Sequence, residues 1–380
     1  MKIAFSATVL DQGKSGIYNY IRGLLNALGD LDKSNHYQIC LAQNERLLLP
    51  SLPGNFQFNE IPIIQQHPIL SILWQHFVFP LHNIKEQFDL LYIPTMRRIP
   101  LIKCCPIMAT IHDIAPLIFA KKYGLSRNIY HQHFLKRAIH NCDRLTAVSH
   151  ATKQDIVNHT DYPENKIAVI YPGINHSLYH LYPKSQAKEY ISSKYQFYDP
   201  FIVYISRLEY PNKNHLALIE AFTQFKQQQK SPHKLILAGA KWNGADKILN
   251  AMQASPFASD ILYLDFVPNE ALPYLYASAD LMVFPSLFEG FGLPIIEALA
   301  CGAKVACSNT SSMKEIGTGY AALFTPHEPE DIADKITIAL SQPLTPQQLE
   351  KQLAYASTFN WESTAKAMLS QFQAVKSILY

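Results

Sequence analysis

The feature that most constrains the fold of this chain is a repeated alternation of short apolar runs with longer segments of helical periodicity. Short runs rich in Val, Ile, Leu, Phe and Tyr predict strands, whereas apolar residues that recur every three or four positions predict helices. Strands are predicted at 2–8, 37–42, 88–93, 106–111, 144–148, 166–171, 201–205, 235–238 and 281–284, and helices at 16–28, 127–141 and 150–159. This alternation is typical of α/β proteins, in which helices cover both faces of a parallel sheet.

The predicted strands form two series, and the length of 380 residues also favours two domains over one core. We predict a Rossmann-like N-terminal domain at 1–180 and a second Rossmann-like domain at 201–360. The stretch 181–200 is rich in Tyr, Ser and Lys and lacks sustained periodicity, so it is predicted to be a linker. An amphipathic helix at 361–380 could pack back on the N-terminal domain. Because doubly wound sheets bind ligands at the carboxyl ends of their strands, we expect the two domains to face each other across a cleft.

Composition indicates a globular protein, because 48% of the residues are hydrophobic and 17% are charged. The formal net charge of +3 is unevenly distributed: residues 1–190 carry 19 basic and 13 acidic side chains, and residues 191–380 carry 14 and 17. A basic N-terminal half could contact an anionic membrane surface or a phosphorylated acceptor. An unevenly charged solvated surface is the alternative. We expect no nucleic-acid partner.

The six cysteines show neither a CxxC pair nor the spacing of a zinc site, so we interpret them as reduced thiols. The first residues form a predicted strand and lack the apolar core and cleavage site of a signal peptide. No apolar stretch reaches the roughly 20 residues that cross a bilayer. We therefore expect a cytoplasmic protein, with any membrane contact peripheral and at the cytoplasmic face.

The most informative segment runs from Phe284 to Ala300 and follows a predicted strand. A Gly-containing turn is followed by Pro294, which favours a helix that starts near Gly292. The free amides and partial positive charge of such a helix start suit an anion. Glu289 lies in the turn and Glu297 lies inside the predicted helix. One of these carboxylates could contact a sugar and the other the hydroxyls of a ribose.

Other candidate residues also follow predicted strands. Arg207 and Lys213 lie in the string S-R-L-E-Y-P-N-K-N, which follows the first strand of the second series. His112 lies in T-I-H-D-I, at the end of the predicted strand 106–111. Gly16 lies in G-K-S-G-I-Y, between the first strand and the first helix. All four could therefore reach the carboxyl edge of a sheet.

Together these motifs resemble those of the retaining family-4 (group 1) glycosyltransferases of the GT-B fold. Residues 289–297 resemble the E-x7-E signature of that family, and the string E-G-F-G-L-P is typical of it. Arg207 and Lys213 resemble its R-x5-K pair, His112 its strand-end His-Asp motif, and Gly16 its glycine loop. The sequence departs from the family pattern at Pro172, Asn175 and Lys304, which leaves the identity of the donor open.

The resemblance implies transfer of a hexose-type sugar, with mannose suggested, from a nucleoside diphosphate donor to a glycan or lipid-linked acceptor. Surface polysaccharide or lipopolysaccharide synthesis is the implied process. We expect no cofactor and no metal, because the nucleotide sugar is a substrate and Arg207 and Lys213 can stabilise the diphosphate. The resemblance implies the catalytic residues Glu289, His112, Arg207 and Lys213. It implies the donor-binding residues Gly16, Arg207, Lys213, Glu289, Phe291, Gly292, Leu293 and Glu297.

Alternative functions remain open from the sequence. A nucleotide-sugar 2-epimerase of the same fold would need no acceptor, and a non-catalytic binder would form no product. Asp30 and Asp32 match the D-x-D of metal-dependent transferases, but they follow a helix and not a strand. Residues 13–15 resemble part of a P-loop, yet Thr8 stands where that motif needs glycine.

Overall fold

The computed structural model describes residues 1–10, 13, 15–61, 76–77, 79–80, 86–118 and 134–376. The chain divides into two compact units. The first unit comprises Met1–Gly173 together with Asn360–Tyr380, and the second comprises Ile174–Phe359.

The described part of the first unit contains a seven-stranded parallel sheet with the order β3-β2-β1-β4-β5-β6-β7. Buried β1 lies at its centre, with Ile3 opposite Tyr37 on one side and Leu90 on the other. The strands are β1 (Lys2–Ser6), β2 (His36–Ala42), β3 (Phe56–Ile61), β4 (Leu90–Ile93), β5 (Ile107–Ile111), β6 (Arg144–Ala147) and β7 (Ile167–Val169).

The second unit contains a six-stranded sheet with the order β10-β9-β8-β11-β12-β13, again with parallel pairing. Ile202 of the central strand lies opposite Leu235 and Leu281. The strands are β8 (Phe201–Ile205), β9 (Lys234–Ala238), β10 (Ile261–Leu264), β11 (Leu281–Phe284), β12 (Val305–Ser308) and β13 (Ala322–Phe324). In each sheet the strand order reverses beside the first strand, as in Rossmann folds, and such reversal points are where these folds bind ligands.

Helices connect the strands. In the described residues the α-helices are α1 (Gly16–Leu31), α2 (Ala115–Ile118), α3 (Lys136–His140), α4 (His150–Thr160), α5 (Lys184–Tyr195), α6 (His215–Gln229), α7 (Ala245–Ala254), α8 (Leu272–Ser278), α9 (Leu293–Ala300), α10 (Ser311–Gly317), α11 (Pro329–Ser341), α12 (Pro346–Ser357) and α13 (Trp361–Lys376). Short 3-10 helices lie at Arg46–Leu48, Met96–Arg98, Glu164–Lys166, Ala258–Asp260 and Asn269–Ala271. Part of the predicted helix 127–141 lies outside the described residues.

Helix α1 shows how local sequence sets both ends of an element. Ser15 caps the start by accepting a hydrogen bond from Tyr18 N at 3.2 Å. At the other end, buried Asp32 accepts hydrogen bonds from Ser34 and from the Tyr37 hydroxyl, the latter at 2.5 Å. Burial alone would raise the pKa of Asp32, but hydrogen bonds from Tyr37, Asn35 and Ser34 outweigh it and hold the pKa at about 2. The Asp32 carboxylate therefore closes the turn that follows α1.

The C-terminal helix α13 belongs to the first unit, in agreement with the packing that the sequence allowed. Gly173 lies directly against the backbone of Trp361, because a Cβ there would stand 2.3 Å from Trp361 N. The Thr364 hydroxyl donates to the Tyr171 carbonyl at 2.8 Å. Further along, the ring of Phe372 packs edge-on against Tyr92 at 5.3 Å. The helix thus completes the core of the first unit.

The structure divides the chain earlier than the predicted linker at 181–200. The units separate between Gly173 and Ile174, and most of the predicted linker is helix α5. Ala187 and Ile191 of α5 are buried, and Tyr190 stacks on Tyr274 of α8 at 4.1 Å. Only these few positions of α5 pack against the rest of the unit, and they are too few to give the sequence a strong apolar periodicity.

Candidate active site

The turn after β11 leads directly into helix α9 at the reversal point of the second sheet. Gly292 precedes the helix with φ 96°, a left-handed conformation that favours glycine. A Cβ at this position would also approach Ile316 to 3.2 Å. The helix begins at Leu293, with Pro294 in its first turn, close to the predicted start. The N-cap residue Gly292 has no side chain to cap this helix, and the positive end of the helix dipole suits an anion.

Hydroxyl groups from the β12–α10 connection hold this turn in place. Thr310 donates its side-chain hydrogen bond to the Leu287 carbonyl at 3.1 Å. Ser311 and Ser312 both donate to the carbonyl of Glu289, at 2.6 and 2.9 Å. The backbone that carries the Glu289 carboxylate is therefore fixed before any ligand binds, as a preorganised site requires.

Lys213 and Glu289 form an ion pair at this turn. Their Nζ and Oε1 atoms are 2.5 Å apart, and the side chains are 18% and 17% exposed. Asn214 strengthens the connection, because its side-chain amide donates to the Pro285 carbonyl at 3.1 Å. The segments that follow β8 and β11 are thereby joined at the carboxyl edge of the sheet. Two residues predicted from separate motifs are thus brought into direct contact.

Arg207 also follows β8, but its side chain makes other contacts. Its guanidinium lies 3.2 Å from a Glu209 carboxylate oxygen and 4.9 Å from the ring centroid of Trp242. The side chain of Arg207 is 54% exposed. The structure therefore places Arg207 on the same edge of the sheet without joining it to the Lys213–Glu289 pair.

Glu297 lies within helix α9, which follows the turn, and is placed among aromatic side chains. Its carboxylate accepts a hydrogen bond from the Tyr276 hydroxyl at 3.1 Å. Burial raises the pKa of Glu297 to about 7, although hydrogen bonds from Tyr276 and Tyr179 act to lower it. This carboxyl group consequently titrates near neutral pH.

Two other predicted donor-binding residues border the turn. The side chain of Phe291 is buried and packs edge-on against Phe359, with ring centroids 5.7 Å apart. Any donor contact of Phe291 would therefore use its backbone. Leu293 is the first residue of α9 and is partly buried.

In the first unit, His112 follows β5 and is held by the carbonyl of Pro94. The distance from Nε2 to that oxygen is 2.9 Å, and the ring packs edge-on against Tyr20 at 4.7 Å. Burial lowers the pKa of His112, while Pro94 and Asp113 act to raise it. A carbonyl oxygen only accepts hydrogen bonds, so Nε2 carries the hydrogen of the neutral ring. The other nitrogen, Nδ1, is then an acceptor that suits a sugar hydroxyl.

Gly16 is the first residue of α1, near the carboxyl end of β1. Lys14 of the same loop lies outside the described residues. A Cβ added at Gly16 would meet no described atom within 4 Å. The described residues therefore leave room for a Cβ at this helix start.

Replacing Gly16 with Ala should leave stability nearly unchanged, because the methyl group enters open space and alanine suits a helix. If a ligand approaches this backbone closely, kcat/KM should fall roughly tenfold or more. Steady-state kinetics and thermal unfolding of the variant check both expectations. Full activity with unchanged stability would remove Gly16 from the donor-binding residues.

Several contacts at these sites were not anticipated from the sequence. Ser311 and Ser312 hold Glu289, Trp242 packs on Arg207, and Tyr276 binds Glu297. The two serines come just after β12, so recognising that short strand would have placed them at the ligand-binding edge.

Two searches of the described residues bear on wider roles. In that part of the chain, no three His, Cys, Asp or Glu side chains are grouped so that they could hold a metal ion. No helix there is both long and apolar enough to cross a membrane.

Solved structures with the same architecture are glycosyltransferases of the GT-B fold. Sucrose-phosphate synthase from Thermosynechococcus elongatus superimposes with a TM-score of 0.80 at 18% identity, covering 100% of both chains. HepE from Anabaena in complex with UDP-glucose gives a TM-score of 0.75 at 18% identity, covering 98% of this chain and 100% of HepE. At such identities the likeness shows the fold, two Rossmann-like domains.

Two family profiles match successive parts of the chain. The profile described as Glycosyltransferase Family 4 matches residues 15–178, and Glycosyl transferases group 1 matches residues 188–356. The chain therefore belongs to the family-4 group 1 glycosyltransferases and is a glycosyltransferase, as its motifs predicted.

Named relatives are matched over differing shares of their own length, and the match spans only 32% of the serotype-specific mannosyltransferase WbdA of Escherichia coli at 28% identity. The O-antigen chain mannosyltransferase B of Escherichia coli is 29% identical over 273 residues, which cover 70% of this chain and 70% of the relative. The O-antigen chain mannosyltransferase RfbU of Salmonella typhimurium is 26% identical over 234 residues, which cover 62% of this chain and 60% of RfbU.

Proposed function

We propose that this enzyme transfers a mannose-like hexose from a nucleoside diphosphate donor to a glycan or lipid-linked acceptor in O-antigen synthesis, with retention of the anomeric configuration. The observation that carries the proposal is the Lys213–Glu289 ion pair, which lies between β8 and β11 at the ligand-binding edge of the second sheet. The names of the O-antigen mannosyltransferase relatives support the sugar and the process. The HepE complex with UDP-glucose supports a nucleotide-sugar donor.

In the proposed mechanism the second unit binds the donor. Lys213 and Arg207 stabilise the diphosphate together with the positive end of α9, and Glu289 accepts hydrogen bonds from the sugar hydroxyls. Glu297 accepts hydrogen bonds from the ribose. His112 contributes a sugar contact through Nδ1, as the sequence predicts. The positive charges of Lys213 and Arg207 would take the place of a metal ion, so we propose that transfer needs no metal.

Retention is proposed to follow from departure and attack on the same face of the sugar. The bond from the anomeric carbon to the phosphate oxygen breaks, and the acceptor oxygen bonds to that carbon. The departing phosphate oxygen takes the proton of the acceptor hydroxyl. Electrostatic stabilisation of the diphosphate by Lys213 and Arg207 makes it a better leaving group.

A panel of nucleotide sugars, offered with and without a glycan acceptor, tests this proposal. Transfer predicts a new glycoside only when the acceptor is present, together with release of nucleoside diphosphate, and undiminished activity with EDTA. An isomerised nucleotide sugar formed without acceptor would indicate the 2-epimerase alternative. Binding of nucleotide sugars without any product would indicate a non-catalytic binder.

Affinity for nucleoside diphosphate is expected to increase as pH rises through about 7. Below that pH the Glu297 carboxyl group is protonated and accepts fewer hydrogen bonds from a ribose, so binding must release a proton. Isothermal titration calorimetry from about pH 6 to about pH 8 measures this dependence. The Glu297→Gln variant should bind the nucleoside diphosphate more weakly and should lose the part of the pH dependence that comes from Glu297. The part that comes from titration of the ligand phosphate should be the same in both proteins. Identical pH profiles for the two proteins would contradict the ribose role.

A further inference from the structure

Cys104 and Cys105 form a pair of neighbouring thiols at the surface of the first unit. Their sulfur atoms are 3.9 Å apart, and both side chains are only partly buried. The chain bends at these two residues, so both sulfurs point to the same side. The other four cysteines of the chain are buried and unpaired. Cys104 and Cys105 are therefore the most accessible thiols of the chain.

The surroundings of the pair favour its reactivity. The hydrogen bond between the two thiols lowers the pKa of Cys104 and, together with burial, raises the pKa of Cys105, so Cys104 is the more readily ionised thiol of the pair. Burial raises the pKa of each of the other thiols outside the pair, which keeps them protonated. Reaction with an electrophile should therefore concentrate at Cys104, with Cys105 beside it.

The loop that carries the pair is anchored on both sides. Lys103 forms an ion pair with Asp143 at 2.6 Å, and the same carboxylate accepts a hydrogen bond from Ile107 N at 2.8 Å. Ile107 begins β5, whereas His112 follows the other end of that strand. Five residues of strand separate the two places by about 16 Å. The thiol pair is thus distinct from the residues predicted to bind the donor.

Geometry decides what could bridge the two sulfurs. A disulfide needs an S–S distance of about 2.05 Å and usually joins Cα atoms at least about 4.4 Å apart, whereas adjacent Cα atoms are only about 3.8 Å apart. A single soft atom bound by two thiolates at about 2.3 Å holds the two sulfurs roughly 3.3–3.8 Å apart, depending on the angle at that atom. The observed 3.9 Å is the distance of a thiol–thiol hydrogen bond, and a small approach of the two sulfurs would allow a one-atom bridge, whereas a disulfide would require them to approach by about 2 Å.

The number of protein side chains available as ligands further limits which atom could bridge the two sulfurs. Structural zinc sites use four protein ligands, and no group of three or more candidate ligands lies in the described residues. A monosubstituted trivalent arsenical needs only two thiolates and is soft, as thiolate ligands prefer.

We propose that Cys104 and Cys105 form a dithiol site that chelates thiophilic trivalent arsenicals. With a reagent R–As=O, two As–S bonds form and the As=O bond is lost. The two thiol protons leave with that oxygen as water, and no electrons are exchanged with another reactant. The proposal is independent of the transferase function.

Phenylarsine oxide and the intact folded enzyme test the site. Native mass spectrometry should show one arsenical per chain, removed by ethanedithiol but not by an equal concentration of a monothiol. Cys104→Ser and Cys105→Ser should each weaken binding about 100-fold, because the second As–S bond loses its high effective concentration. Cys142→Ser removes a buried thiol near the same loop and should bind as the wild type does.

The outcomes separate the proposal from its alternatives. Retained binding in both surface variants, or loss of binding only in Cys142→Ser, would overturn it. Mass spectrometry under reducing, oxygen-free conditions that showed no arsenical on a chain with both thiols reduced would also overturn it. Thermal unfolding of each variant shows whether it is folded. If either Cys104→Ser or Cys105→Ser is unstable, the other variant still tests the site.

Discussion

Replacing Glu289 with alanine is expected to lower kcat by about a thousand-fold while nucleoside diphosphate affinity changes only a few-fold. The carboxylate is held at a fixed position, because Ser311 and Ser312 bind its backbone and Lys213 pairs with its side chain. A group placed in this way contributes most to the charge distribution of the transition state and less to binding of the nucleotide.

Glu289→Gln separates the charge of this side chain from its shape. Glutamine keeps an oxygen acceptor at the same place but cannot form the ion pair with Lys213, so kcat should still fall by about two orders of magnitude. Steady-state kinetics with a nucleotide sugar and calorimetry with the nucleoside diphosphate measure the two effects. Glu220→Gln removes one negative charge from an exposed position on α6 and serves as the control. A Glu289→Ala enzyme with wild-type turnover would refute the proposed role.

Most of the strands that the sequence predicted are buried along most of their length. The residues of β11 are all buried, and so are those of β4 and β5. Uninterrupted apolar runs are the pattern of central strands in parallel sheets, so these elements could be identified without long-range information.

The strands that were missed lie at or near the sheet edges or are very short. Only the two end residues of Phe56–Ile61 are buried, and β10 is only partly buried. The edge strand Ala322–Phe324 has three residues. Such segments form because a neighbouring strand supplies hydrogen-bond partners, and their own sequence carries little signal.

The sequence motifs nominated residues of the candidate site but not the contacts between them. Motifs identified Lys213 and Glu289 separately, yet 76 positions separate them and only the sheet order brings them together. The same holds for Tyr276, whose hydroxyl binds Glu297 from another helix. For Arg207 the motif and the observed contacts differ. The motif assigns its guanidinium to the diphosphate, whereas in the structure the guanidinium contacts Glu209 and Trp242.

Replacing Lys213 with alanine is expected to weaken both binding and turnover. A charge-assisted hydrogen bond to a diphosphate is worth about 1.5–3 kcal/mol, which corresponds to a roughly 10- to 150-fold increase in the Kd of the nucleoside diphosphate. The same charge stabilises the departing diphosphate, so kcat should fall by about a further hundred-fold. The unfolding free energy should also decrease, because the largely buried Glu289 carboxylate loses its partner. Lys335→Ala breaks an exposed helical ion pair with Asp331 and provides a matched control for loss of a lysine.

Combining Lys213→Met with Glu289→Gln distinguishes one shared site from two independent roles. If the two side chains act as a unit on the same donor, the double variant should lose much less activity than the product of the single losses. It should also recover part of the stability lost by Lys213→Met, because no unpaired carboxylate remains. Calorimetry, kinetics and thermal unfolding of all four proteins complete the cycle. Fully multiplicative losses in kcat, with no recovery of stability, would mean that the two side chains act independently, and the proposed donor site would then lose its central support.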